Sequence, residues 1–160
     1  MKAKPEVLKV LQGMLEEELG AINQYFLHSE MCENWGYERL SKHIKKVSIN
    51  EMGHAERIIE RMLFLEGMPS LSELPKLSIG KDVKQALEND LALELGAVHD
   101  YNKAVATCRE AGDNGTADFL KEILTVEEGH VDFFEEQLDL IEQIGLQNYL
   151  AQQLGEESEK

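Results

Sequence analysis

Glu51-Met52-Gly53-His54 and Glu127-Glu128-Gly129-His130 repeat one motif, a glutamate with a histidine three residues on. On a helix such a pair shares one face, so each motif aims a carboxylate and an imidazole at the same point. Glu18 and Glu94 are two further acids set in otherwise apolar stripes. The offsets match: 76 residues separate Glu18 from Glu94 and Glu51 from Glu127, and 33 separate Glu18 from Glu51 and Glu94 from Glu127. The surroundings repeat as well, with the run from Glu18 to Tyr25 aligning with the run from Glu94 to Tyr101. The chain reads as two copies of one helical hairpin. A two-fold relation between them brings four glutamates and two histidines to one place.

Four carboxylates in a low-dielectric core repel one another and lose hydration, so they must be protonated or neutralised. Two divalent cations balance their charge, with one imidazole for each. Ligation rich in oxygen with one nitrogen per metal suits iron or manganese better than copper or structural zinc. A buried polar network that fixes bundle register is the competing reading, but such networks usually use Asn or one ion pair. The expected ligands and catalytic residues are therefore Glu18, Glu51, His54, Glu94, Glu127 and His130. Tyr25 and Tyr101 lie two turns beyond Glu18 and Glu94 and are expected to hydrogen-bond the carboxylate of the opposite hairpin, with Asp90 as a further supporting group. His28, His43 and His99 lack ligand spacing and read as surface or packing residues. Each of the four glutamates is followed two residues on by Gly20, Gly53, Gly96 or Gly129, which implies close approach of something outside the bundle.

These residues need long helices to hold them. The only prolines are Pro5, Pro69 and Pro75, which leaves two long proline-free stretches. Apolar steps of three and four run through Leu8, Leu11, Leu15 and Ile22, through Leu40, Ile44, Val47 and Ile58, through Val83, Leu87, Ala97 and Tyr101, and through Leu120, Ile123 and Phe134. This predicts an all-α chain with helices near 5–34, 38–66, 82–111 and 116–143. A short fifth helix over 147–154 would carry Leu146, Tyr149, Leu150 and Leu154 on its apolar side. Asp82 and Thr116 are candidate N-caps, and Gly36, Gly67, Gly112, Gly115 and Gly145 are breakers. The short connections make antiparallel pairs, and the link over 67–81 can span a bundle. The expected fold is a ferritin-like four-helix bundle with one long crossover, as a single domain over 1–160.

Composition narrows the function. Sixteen basic and 31 acidic residues give a net charge of −15, a poor match for nucleic acid or anionic membrane and a good one for gathering cations. No apolar run is long enough to span a bilayer and no signal-peptide core is present. Cys32 and Cys108 are far apart without a C-x-x-C motif and read as small buried residues in a reducing cytoplasm.

The chain resembles the bacterioferritins over nearly its whole length. The likeness is densest in Glu18 with Ala21 to His28, in Asn34-Trp35-Gly36, in Ile58 to Gly67, in Asp90 to Leu95 and in Gly145 to Leu150. It implies that the six ligands form a ferroxidase centre holding two iron ions. It implies a hollow shell of twenty-four subunits built of dimers, with mineral iron inside. It also implies haem b shared between two subunits, ligated by Met52 from each, with Leu19, Asn23 and Phe26 lining the pocket. One residue past Glu51 is about 100° round the helix, which turns Met52 away from its own bundle. Asn34, Glu66, Asp132 and Asp139 match residues lining one class of shell pore in the family. Lys46 and Asn50 depart from the His and Asp that hold an inner-surface iron in some members, and neither suits iron.

The resulting expectation is iron storage and detoxification: Fe(II) is oxidised by O2 or H2O2 and deposited as mineral, with a ferredoxin-type reductant for release. The alternatives are a di-iron or di-manganese oxidoreductase of the peroxidase or catalase kind, and a haem-carrying subunit of a mixed shell with a paralogue. The first lacks the rubredoxin module usual in rubrerythrin-type peroxidases, and the complete ligand set speaks against the second.

Overall fold

The computed structural model describes residues 1–155; residues 156–160, the end of the single domain expected over 1–160, lie outside the described residues. Five helices follow one another: α1 (Pro5–Asn34), α2 (Glu38–Phe64), α3 (Val83–Glu110), α4 (Asn114–Ile144) and α5 (Leu146–Ala151). No strand occurs among the described residues. No helix among them is long and apolar enough to cross a membrane.

The helices begin and end on local chemistry. Pro5 opens α1, where its missing N–H costs nothing. Asp82 caps α3 by accepting the Gln85 N–H at 2.9 Å. The cap of α4 is Asp113 rather than Thr116: its carboxylate accepts from the Thr116 N–H at 2.9 Å and the Thr116 hydroxyl at 2.7 Å. An acid with two oxygens satisfies both donors at once, so α4 starts two residues earlier than expected. Helix α2 stops at Phe64 because Glu66 takes the left-handed conformation (φ 62°), and the Gly67 N–H then closes on Met62 O at 2.9 Å. The fifth helix is shorter than 147–154 and buries Tyr149, whereas Leu146 and Leu154 are exposed. Tyr149 anchors it by donating to Gln137 Oε1 at 2.9 Å.

Helix α1 packs along α2 and α3 along α4, and α1 and α3 face each other between the pairs. The crossover joins the far ends. It runs beside α1 in the same direction: Ser70 bonds Gln12, Pro75 lies over Gly20, Ser78 bonds Gln24 and Gly80 bonds His28. The 27 residues of α2 cover roughly 40 Å at 1.5 Å per residue, and the crossover spans most of that length.

The core is divided. One apolar cluster holds Leu11, Leu15, Ile58, Met62, Leu120 and Ile123. The other holds Tyr25, Ile44, Val47, Leu87, Phe134 and Tyr149. The glutamates and histidines form a layer between them. Cys108 lies in the first cluster and Cys32 in the second, both free thiols, as small buried residues.

Candidate metal centre

Every helix of the bundle contributes at its midpoint. Glu18 comes from α1, Glu51 and His54 from α2, Glu94 from α3, and Glu127 and His130 from α4. All six are buried. They form two groups whose ligand atoms lie within 4.8 Å of one another: Glu18, Glu51, His54 and Glu127, and Glu51, Glu94, Glu127 and His130. Glu51 and Glu127 belong to both groups, and the other four residues to one each.

The distances show why. His54 Nδ1 lies 2.9 Å from Glu51 Oε2, 3.0 Å from Glu127 Oε1 and 3.6 Å from Glu18 Oε1. His130 Nδ1 lies 2.8 Å from Glu51 Oε1, 3.0 Å from Glu127 Oε2 and 3.3 Å from Glu94 Oε1. A ring nitrogen has one hydrogen to give, yet three carboxylate oxygens converge on each. That is the donor pattern of a cation site, not of a hydrogen-bond network. Buried Glu94 Oε2 and His130 Nε2 also have no hydrogen-bond partner, and an unpartnered buried carboxylate oxygen is costly unless a cation completes it. The residues fit two divalent ions with three carboxylates and one imidazole around each.

The protonation states follow from the crowding. Burial alone would push the His54 imidazole down, but Glu127, Glu18 and Glu51 overwhelm it and hold it at about 11. His130, surrounded by Glu127, Glu51 and Glu94, is held at about 12 against the same burial. Burial also works to raise Glu51, but the two imidazoles draw it down to about 2. Burial and the neighbouring Glu51 and Glu127 carboxylates push Glu94 up to about 8, and burial lifts Glu18 well above the usual range. Without metal, protons on the imidazoles and on Glu18 and Glu94 supply the missing positive charge.

The tyrosines cross over as expected. Tyr25 of α1 donates to Glu94 Oε1 of α3, and Tyr101 of α3 donates to Glu18 Oε1 of α1. Burial pushes both phenols up, so both remain donors. Asp90 does not reach the carboxylates. It accepts from Gln24 Nε2 at 2.9 Å and pairs with His28 Nδ1 at 2.7 Å. Gln24 Oε1 in turn accepts from the Ser78 N–H at 3.0 Å, and His28 Nε2 from the Gly80 N–H at 2.9 Å. His28 is thus a fully buried clip between α1, α3 and the crossover. The signal was present: His28 continues the step of three from Tyr25 on the Glu18 stripe. His43 packs its ring on Phe133, centroids 3.6 Å apart, and His99 is exposed.

The glycines after the glutamates divide. A Cβ at Gly20 would meet Pro75 Cγ at 2.4 Å, so the crossover is what approaches there. Gly53, Gly96 and Gly129 have nothing within 4 Å.

A cavity of about 360 Å³ opens beside the centre between α1 and α3, with the crossover as one wall. Glu18, Glu51, Glu94, Glu127 and Tyr101 line its inner end, and Glu17 and Asp100 its outer part. Burial and the adjoining Asp100 carboxylate push Glu17 up to about 8. Sequence reasoning passed over this pair, because Glu17 sits in the solvated-looking run Glu16-Glu17-Glu18. On the opposite side of α2, Met52 is 65% exposed beside Ile49 at 64%, and Phe26 of α1 is 52% exposed. Lys46 and Asn50 are exposed on α2, and Asn34, Glu66, Asp132 and Asp139 are all at the surface.

Comparison with known proteins agrees with the geometry. The ferritin-like domain family matches residues 8–144. A bacterioferritin of Mycolicibacterium paratuberculosis is 43% identical over 152 residues, 95% of this chain and 96% of that protein. A bacterioferritin of Brucella melitensis is 44% identical over 149 residues, 93% of this chain and 92% of that protein. One from Rhodobacter capsulatus is 42% identical over the same shares.

Proposed function

Since the chain belongs to the bacterioferritins, within the ferritin-like family, we propose that it stores iron: it takes up Fe2+, oxidises it, and keeps the product as mineral inside a shell of twenty-four copies. The observation that carries this reading is the pair of buried ligand groups sharing Glu51 and Glu127. Two Fe2+ held side by side supply two electrons together, enough to reduce O2 to H2O2 or H2O2 to water.

The chain's own residues do the rest. Glu18 and His54 would serve one ion and Glu94 and His130 the other, with Glu51 and Glu127 serving both. The four carboxylates balance the charge of two divalent ions, which replaces the protons of the metal-free centre. Tyr25 and Tyr101 fix the rotation of Glu94 and Glu18, so the outermost ligands are held from the opposite hairpin. The apolar clusters on either side shield the centre along the bundle axis and keep the electrostatic interactions strong, leaving the cavity between α1 and α3 as its opening.

The same reading gives Met52 to haem b. Its exposed thioether, with exposed Ile49 one turn before it on α2 and Phe26 exposed on α1, suits a haem held between two copies across a two-fold axis. Lys46 and Asn50 make an iron site on the inner surface a poor route for electrons, so haem becomes the way in for electrons from a ferredoxin-type reductant. Asn34, Glu66, Asp132 and Asp139 would line a pore through the shell, whose acids favour cations. The protein would act as a single domain over 1–160 in the cytoplasm, alone or in a shell mixed with a paralogue.

Native mass and iron content measured together test the storage reading. It expects a particle of several hundred kilodaltons that oxidises added Fe2+ and retains many irons per chain. A small particle that holds no more than its two ligated ions would overturn it and leave a solution oxidoreductase.

A further inference from the structure

The internal repeat breaks down at one place, and the break lies beside the metal centre. Residues 76 apart correspond, so Glu18 answers to Glu94 and Tyr25 to Tyr101. Gln24, His28 and Asp90 answer to Asp100, Ala104 and Met14. The first three form a bonded polar cluster. Of their counterparts, Met14 and Ala104 are buried in the first apolar cluster. The repeat therefore supplies the polar cluster at one end of the centre only.

Its geometry ties α1 to α3. One oxygen of Asp90, Oδ1, accepts from Gln24 Nε2 at 2.9 Å and from His28 Nδ1 at 2.7 Å. His28 Nε2 accepts from the Gly80 N–H, so the ring hydrogen sits on Nδ1 and points at Asp90. All three residues are at most 1% exposed. The crossover is tied to the same place: Asn89 of α3 donates to Ser78 O at 3.1 Å, and a Cβ at Gly80 would stand 2.3 Å from Ala86 N. Gln24 and His28 are one turn apart on α1 with Tyr25 between them, and Asp90 is one turn before Glu94 on α3. The two helices are thus bonded at successive turns, first through Asp90 and then through Tyr25 and Glu94. At the other end Tyr101 reaches Glu18 from helices held there by Met14 and Ala104, and apolar contact has no preferred direction.

We propose that Asp90 is a positioning residue for one ion only, the one served by Glu94 and His130. Through Gln24 and His28 it holds α1 so that the Tyr25 hydroxyl fixes the rotation of Glu94. The ion served by Glu18 and His54 has no such support, so the two positions of a near-symmetric centre are unequally held. The proposal rests on reading the centre as a two-ion site that oxidises Fe2+.

The test isolates each position in the whole assembled protein. Glu18→Ala keeps the group with Glu94 and His130, and Glu94→Ala keeps the group with Glu18 and His54. Asp90→Ala is placed in each, and anaerobic Co2+ titration, read by its absorption bands, gives the affinity of the remaining position. In the Glu18→Ala protein the added change should weaken Co2+ binding by about tenfold, the low end of what losing an outer-shell partner costs. In the Glu94→Ala protein it should leave the affinity unchanged. Asp90→Asn keeps the accepting oxygen and puts its amide where Oδ2 has no hydrogen-bond partner, so it should restore tight binding. If Asp90→Ala does not fold, Gln24→Ala, which removes one of the two bonds, should give the same selective loss. Equal weakening in both proteins would make Asp90 a general structural support and overturn the proposal. So would no weakening in either, or an Asp90→Asn variant as weak as Asp90→Ala. If neither single-ligand variant binds Co2+ before Asp90 is changed, the two-ion reading itself falls, which is a separate result.

Discussion

Glu51 Oε1 of α2 lies 2.8 Å from His130 Nδ1 of α4, while Glu51 Oε2 lies 2.9 Å from His54 Nδ1 on its own helix. Glu127 does the converse, 3.0 Å from each imidazole. The two carboxylates thus stand between the histidines, and Glu18 and Glu94 flank them. The arrangement sorts four chemically identical side chains into two roles.

Those roles are separable by stoichiometry. Glu18→Ala leaves one ligand group intact and should still bind one Co2+ per chain. Glu51→Ala damages both groups and should bind almost none. Both should slow initial Fe2+ oxidation by more than the roughly 10–100-fold that losing a ligand's outer-shell partner costs, while the shell still assembles. Equal Co2+ counts in the two variants would remove the distinction.

Cation loading should release protons. Near neutral pH the metal-free centre keeps its imidazoles protonated, since His54 and His130 are held at about 11 and about 12. An ion on each Nδ1 expels those protons, so at least about two leave per chain. Apparent affinity should therefore fall as the solution becomes more acidic. In the metal-free protein the sign is opposite. A raised imidazole pKa stabilises the fold fully below the unfolded value near 6.5, and that stability is lost as pH rises through about 11 to 12. Co2+ titration in weak buffer with an indicator dye measures the release; none at pH 7 would contradict these protonation states.

Met52→Leu separates haem ligation from packing. Leucine keeps the volume and apolar character, at a cost under about 1.5 kcal/mol, but offers iron no lone pair. Purified shells supplemented with haem should show a low-spin haem spectrum only when Met52 is present. A variant that keeps the unmodified protein's spectrum would make Met52 a packing residue.

Gly20→Ala tests the seating of the crossover. A methyl group there would stand 2.4 Å from Pro75 Cγ, so the crossover must move, at about 1–3 kcal/mol. Gly129→Ala is the contrast, with nothing within 4 Å, and should stabilise by about 0.5–1 kcal/mol through helix propensity. Urea midpoints of the metal-free proteins give both values, and a neutral Gly20→Ala would show that Pro75 yields freely.

The meeting of Glu18, Glu51, His54, Glu94, Glu127 and His130 and the four long helices were legible because both depend on local periodicity, and the crossover because the link over 67–81 is long enough to span the bundle. A step of three or four residues keeps a side chain on one face, and the equal offsets of 76 and 33 residues align two hairpins without reference to any contact. The crossed bonds Tyr25–Glu94 and Tyr101–Glu18 could be anticipated for the same reason, since they follow from that two-fold relation. What the sequence did not contain was the phase and translation of one helix against another. One residue turns a side chain by about 100° and advances it about 1.5 Å, so packing decides that Glu51 and Glu127 stand between the histidines while Glu18 and Glu94 flank them. Packing likewise turned His28, which lacked ligand spacing, into a buried clip on Asp90. It placed Pro75 over Gly20, and it brought Glu17 of an ordinary acidic run against Asp100, 83 residues away. Each of these contacts joins elements distant in the chain, where side-chain type states what can bond but not what is near.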